Sequence, residues 1–325
     1  MAIVKLRSPV YRQATQSSGT VASVKMELSI DSTLRYTIIK DASAGVASVF
    51  DISELARDYL DPTITLDPAS YPQNQVSIST SIKFYPQANA GGTQTGSTQL
   101  IADKGVDGYG TFSEGVNPAI SPNQFAFSKD YATNQYHLYV PVGEAGAYQY
   151  FDGTGIETQD FASSDTSDSQ TFGSVTINRI DCTKYGKGTK IVFINKFGAL
   201  QELWFFLKKT QTTNTTRDLY KRNLLSGITY DTKIHANKIF NKQLKQTHKL
   251  SSGYYKEWTN TWFEQLLASE SVWMIRDKFT NPSTKEVVPV NVKSSSLTHK
   301  TTVNDKLIHY EIEFEEAFDY INNVR

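Results

Sequence analysis

Hydrophobic alternation with a period of two is the feature that most constrains this chain. Val24, Met26, Leu28 and Ile30 alternate with Lys25, Glu27 and Ser29, as in a strand with one face on a core and one on solvent. Leu34, Tyr36 and Ile38 resume the pattern after a short turn, so a hairpin is expected. The same alternation recurs at Val76, Ile78, Thr80, Ile82 and Phe84, at Tyr136, Leu138, Val140 and Val142, and at Ile308, Tyr310, Ile312 and Phe314. Helical spacing is confined to three places. Leu55 and Tyr59 lie four apart in 53–60, ahead of Pro62. Tyr255, Trp258, Trp262 and Leu266 form a stripe in 253–268. Ala317, Ile321 and Val324 fall on one side of a short tail helix over 317–324. The expected fold class is mainly β, with two or three linked β-sandwich-like domains and a few short helices.

Shifts in composition suggest the boundaries. Residues 1–86 read as an N-terminal β-domain with one short helix. The small, polar, glycine-rich start of 87–123 reads as a loop or arm without a packed core. Residues 124–210 form a central β-domain, 211–216 (QTTNTT) a polar linker, and 217–325 a C-terminal α+β domain. The lone cysteine, Cys182, excludes an intrachain disulfide and argues against a cysteine zinc site. Formal net charge is zero, against the basic balance of a general nucleic-acid binder. No apolar run approaches the roughly 18 residues of a membrane span, and the first residues lack a signal-peptide core. Synthesis in the cytoplasm and no membrane partner are the expectation.

Two stretches stand out as candidate interfaces. The hairpin 190–207 is apolar on both faces, with Phe193, Trp204, Phe205 and Phe206 among its bulkiest side chains, so it should be buried on both sides or covered by a partner. Residues 208–249 carry ten Lys or Arg and two Asp, a local charge of +8, whereas 152–169 carries five acids and no Lys or Arg. Lys238, Lys242 and Lys245 on one side, with Asp160, Asp165 and Asp168 on the other, are candidates for charge-matched contact between subunits. Phosphate binding and a plain solvated face are the other readings of the basic stretch.

Catalytic patterns are sparse. Residues 185–190 (YGKGTK) have phosphate-loop residue types at the wrong spacing and read as a tight turn. The five histidines are scattered. His137 and His309 alternate with apolar residues, as surface positions on strands do. Residues 152–157 (DGTGIE) only loosely resemble a calcium loop. Glu311 and Glu313, two apart on one strand, could serve glycoside hydrolysis, but any polar strand face has that spacing. No catalytic, cofactor or metal residue is assigned.

Residues 50–59 (FDISELARDY), 192–198 (VFINKFG), 269–273 (SESVW), 288–293 (VPVNVK) and 304–310 (NDKLIHY), joined by long Ser/Thr/Asn/Gly-rich loops, resemble virion structural proteins of tailed bacteriophages, in particular components of the tail, neck or baseplate. The resemblance implies a homo-oligomeric structural protein of the virion that contacts copies of itself and neighbouring virion proteins. It implies neither enzymatic activity nor a cofactor. Two alternatives remain at this point. One is a carbohydrate-binding or adhesin module that stacks sugars on Tyr and Trp; the other is a hydrolase built on Glu311–Glu316.

Overall fold

The computed structural model of the chain describes residues 2–14, 21–42, 46–64, 77–121, 123–164, 166, 168–181, 188–223, 228–278, 281–299 and 307–321. Val76, Cys182, Asp165, Val324 and the first half of the 185–190 turn therefore lie outside the described residues. With 53% of residues in strands and 7% in helices, the protein is mainly β, with several sheets and few short helices.

The first unit comprises β1 (Ala2–Lys5), β2 (Tyr11–Ala14), β3 (Ser23–Ile30), β4 (Thr33–Asp41), β5 (Ser48–Asp51), α1 (Ser53–Arg57), β6 (Ser77–Gln87) and β7 (Gln99–Val106). Its main sheet has the order β1-β7-β6-β3-β4, with β1 parallel to β7 and the remaining pairs antiparallel. The alternation is realised as read. Val24, Met26, Leu28 and Ile30 of β3 meet Ile78, Ile82 and Phe84 of β6 in one core, completed by Phe50, Ile52 and Ala56.

Strand β7 corrects the reading of 87–123 as a coreless loop or arm: it lies inside this sheet, between β1 and β6. The alternation is hidden there because two inward positions are not hydrophobic. Asp103 is buried and accepts a 2.7 Å hydrogen bond from Arg12 Nε. Gly105 leaves room for Leu6, whose Cδ1 would sit 2.6 Å from any Cβ placed there.

The rest of the chain supplies β8 (Tyr136–Pro141), β9 (Gly146–Phe151), β10 (Ile156–Phe161), β11 (Gln170–Phe172), β12 (Val175–Ile180), β13 (Thr189–Ile194), β14 (Leu200–Phe205), β15 (Lys209–Lys221), β16 (Asn237–Ser251) and β17 (Tyr255–Lys256). These are followed by α2 (Asn260–Ala268), β18 (Val272–Lys278), β19 (Asn281–Val292), β20 (Leu307–Ile308) and β21 (Glu311–Glu316). Seven of them make one sheet in the order β14-β13-β18-β19-β21-β16-β15. The boundary expected at 210–217 thus runs through a single sheet, because β13 of the central block pairs with β18 of the C-terminal block. Its largest core joins residues from Phe127 to Phe314 and includes Trp262, Phe263 and Leu266 of α2.

Two further expectations change. Residues 211–216 belong to strand β15 rather than to a linker. Every described side chain of β15 is exposed, so no alternation marks it, and threonine's preference for extended backbone is the only local signal. The tail after β21 forms bends through residue 321 instead of a helix; it runs back along the sheet, with Ala317 N–H on Pro289 O and Tyr320 N–H on Leu244 O.

The turn between β13 and β14 ties the two units together. Gly198 has φ +81°, and a Cβ there would lie 2.7 Å from Gly108 N and 2.8 Å from Val106 Cβ. Glycine both permits this backbone and lets the end of β7 approach. Arg7 adds a second tie, donating to Ala268 O at 2.8 Å at the C-terminal end of α2, where a cation is favoured.

Candidate functional site

Hairpin β13–β14 is buried by its own chain. Phe193 is fully buried, and Trp204, Phe205 and Phe206 are each at most 3% exposed. Phe205 meets Phe263 of α2 and Phe314 of β21 edge-on, with ring centroids 6.4 and 5.6 Å away. Tyr255 lies against Phe206 and donates from its hydroxyl to Trp204 O at 2.7 Å. The expectation that these four residues face another subunit is corrected: α2, β21 and the β17 segment cover them. Two apolar faces do demand burial, and the chain supplies it internally.

The exposed feature lies at the far edge of the same sheet. β15 and β16 pair antiparallel from Lys209–Leu250 out to Lys221–Asn237, with a bulge beside Leu219 that leaves Phe240 without an opposite residue. Only Thr247–Ser251 of β16 also pair with β21. Beyond Leu244 the two strands stand as an isolated ribbon among the described residues, running about 20 Å from Thr216 to Lys221 at ordinary strand rise. No described residue between Lys208 and Phe240 is buried.

Lys238, Lys242 and Lys245 project from β16 as the sequence suggested, joined by Arg217 and Lys221 on β15 and by Lys233 in the tip. Interleaved with them are exposed apolar side chains, Leu219, Tyr220, Tyr230 and Ile239, with Ile228 at 99% and Phe240 at 78% exposure. Sequence reading registered this charge but missed the architecture, since nothing local distinguishes a solvated ribbon from a polar linker.

The acidic counterpart sits at the opposite edge. β9 and β10 form a hairpin that packs against β14; Ala147 N–H donates to Glu202 Oε1, and Leu200 N–H to Gln149 Oε1. Glu157 and Asp160 on β10 are exposed, as is Asp168 beyond it. Asp152 closes a local turn. Its carboxylate accepts the Thr154 and Gly155 N–H groups and the Thr154 hydroxyl, which holds its pKa below the ordinary aspartate value.

The C-terminal carboxylates are each matched to a base. Glu311 lies 2.6 Å from Lys249 Nζ, Glu313 lies 3.2 Å from Lys293 Nζ, and Glu315 lies 3.2 Å from Lys245 Nζ. Ser251 Oγ is 2.6 Å from His309 Nε2, a nucleophile-and-base distance. His309 lines a shallow cleft of about 330 Å³ with Tyr310, Glu311 and Thr298, but Ser251 is buried in the ladder and does not line it. The contact reads as structural. Among the described residues no group of three His, Cys, Asp or Glu side chains could hold a metal ion.

At the root of the ribbon lies a buried polar cluster that the sequence did not flag. His248 of β16 is fully buried, its Nε2 3.0 Å from Glu316 Oε1, which also receives Arg276 at 2.6 Å. Nδ1 is buried with no partner among the described residues, which fits the tautomer that donates from Nε2. Burial lowers the His248 pKa; Lys209 and Arg276 lower it further, and Glu316 opposes them. A depressed folded-state pKa means that the unfolded chain binds the proton first. Stability is therefore complete above the ordinary value of 6.5 and falls as pH drops below it. Denaturant titrations between pH 8 and 5 should show this loss, and His248→Gln should flatten the slope.

No family model, curated protein or solved structure matches this chain.

Proposed function

We propose that this chain is a structural assembly protein, of the kind that builds the tail, neck or baseplate of a tailed-phage virion, and that its work is binding rather than bond-breaking. One observation carries the reading: a basic ribbon with exposed Leu219, Ile228, Ile239 and Phe240 stands away from a body whose own cores are closed. An isolated two-stranded hairpin is at best marginally stable in water. Exposed strand edges bearing apolar side chains are normally covered or blunted. A ribbon of this length is therefore best explained by a partner that completes it. The resemblance to virion proteins supplies the class of assembly, a homo-oligomer found in the particle together with other virion proteins.

The carbohydrate-binding alternative gains less support. Trp204, Trp262 and Trp273 are buried and Trp258 is half-buried, which leaves that reading to exposed tyrosines such as Tyr131 and Tyr254.

The test is sedimentation velocity with negative-stain imaging of the purified chain across a concentration series. Discrete multi-subunit species are expected. A chain that stays monomeric at the highest concentrations and is absent from purified particles would overturn the proposal.

A further inference from the structure

We infer that the outer edge of β15 pairs with the same edge of a second copy of this chain, antiparallel about a twofold axis through Asn214. The inference rests on the assembly reading above and adds which surface makes the contact. Three observations lead to it.

The first is the edge itself. β15 ends the seven-stranded sheet, and among the described residues no strand lies on its outer side. All thirteen of its residues are exposed. It runs unbulged, because the extra residue of the β15–β16 ladder, Phe240, belongs to β16. Residues 210–216 (TQTTNTT) hold no charge and no proline. Natural sheets blunt their edges with lysines, prolines or bulges, and a long strand without them is a template for another strand.

Register is the second. A strand that pairs antiparallel with its own copy in one continuous sheet sets residues of the same face opposite each other, so the axis passes through a residue. With the axis at Asn214, Thr213 faces Thr215 and Thr212 faces Thr216, and threonine pairs of this kind stabilise a ladder. Gln211 then faces Arg217, and Thr210 faces Asp218, with Lys208 on the diagonal from that carboxylate. The adjacent registers are penalised. An axis at Thr213 sets Lys209 against Arg217, and one at Thr215 sets Lys209 against Lys221; like charges directly opposed are destabilising.

The third is what this register does for the ribbon. Thr216–Leu219 of one copy lie along Lys209–Thr212 of the other. Those four residues pair with Thr247–Leu250 of β16, which are held in turn by β21. The free ribbon of each copy thus gains a third strand rooted in the other's sheet, which removes the marginal stability of a two-stranded hairpin. Pairing over 209–219 spans about 34 Å and adds about ten backbone hydrogen bonds. The contact is isologous and closes as a dimer.

Register-specific charge changes test the inference on the full-length protein. T212K/T216K, at two exposed positions, sets lysine opposite lysine in both symmetry-related pairs. It should keep its circular dichroism and weaken self-association about tenfold or more in sedimentation equilibrium. T212K/T216E sets lysine opposite glutamate in the same pairs and should associate as the wild type does. In a Cys182→Ser background, N214C should cross-link into a disulfide-bonded dimer on mild oxidation, because directly opposed residues lie within disulfide reach. T210C should not, since that position lies about 27 Å from its own copy along the strand.

Self-association untouched by T212K/T216K, with no N214C cross-link, would overturn pairing through β15 and leave the assembly reading standing. Association lost in R217E/K221E yet indifferent to T212K/T216K would move the contact to the ribbon's cations and overturn the edge pairing alone. A wild type that stays monomeric at every concentration would overturn both.

Discussion

Excising residues 214–245 and joining Thr213 to Gln246 through an Asn-Gly turn is expected to abolish assembly while leaving the folded body intact. Thr213 and Gln246 are directly opposed in the ladder, so a two-residue turn can close the shortened hairpin. The excised segment contributes no buried residue among those described. Its ion pair to the body, Lys245–Glu315, is partly exposed and worth little. Thr247 and His248, which belong to the buried root, are retained. Thermal unfolding should therefore shift by no more than about 1–2 °C, the equivalent of roughly 1 kcal/mol in a chain of this size. Sedimentation should show a monomer at every concentration. Persistent oligomers would place the contact elsewhere, and a large drop in melting temperature would make the ribbon part of the fold.

Phe205→Ala should produce the opposite pattern. Phe205 is 1% exposed and lies edge-on between Phe263 and Phe314, where α2 crosses the seven-stranded sheet. Truncating a buried phenylalanine removes its transfer free energy and leaves a cavity, which together cost about 3–5 kcal/mol. Chemical denaturation should show a midpoint shifted to lower denaturant by the same amount at all protein concentrations. Had this hairpin been a subunit interface, the loss would have appeared in the association constant and the monomer would have been spared. The two variants thus separate the surface that holds the molecule together from the surface offered to a neighbour.

How much was legible varied with the local signal. Strands β3, β6 and β21 were readable because each buries one face and alternates accordingly, and β4 because Tyr36 and Ile38 half-bury on one face. Strand β7 was not, since Asp103 and Gly105 occupy positions where alternation would place apolar residues; their fitness depends on Arg12 and Leu6, far away in the chain. Strand β15 was missed for the reverse reason, because an element with no buried face has no reason to alternate. His248 resembled the other four histidines until Glu316 and Arg276 were brought beside it from β21 and β18.

The amino-acid sequence by itself determined a mainly β protein, the short α2 stripe, the opposed charges of 152–169 and 208–249, and the need for both faces of 190–207 to be covered. Each of these follows from residue type and from spacing along a few neighbouring positions. Tertiary structure alone decided that α2 and β21 of the same chain supply that cover, that one sheet crosses the expected domain boundary, and that the basic segment stands free as a ribbon. Those outcomes depend on which distant segments meet. Hydrophobicity states how strongly a surface avoids water, but it is non-directional and does not name the surface that will shield it.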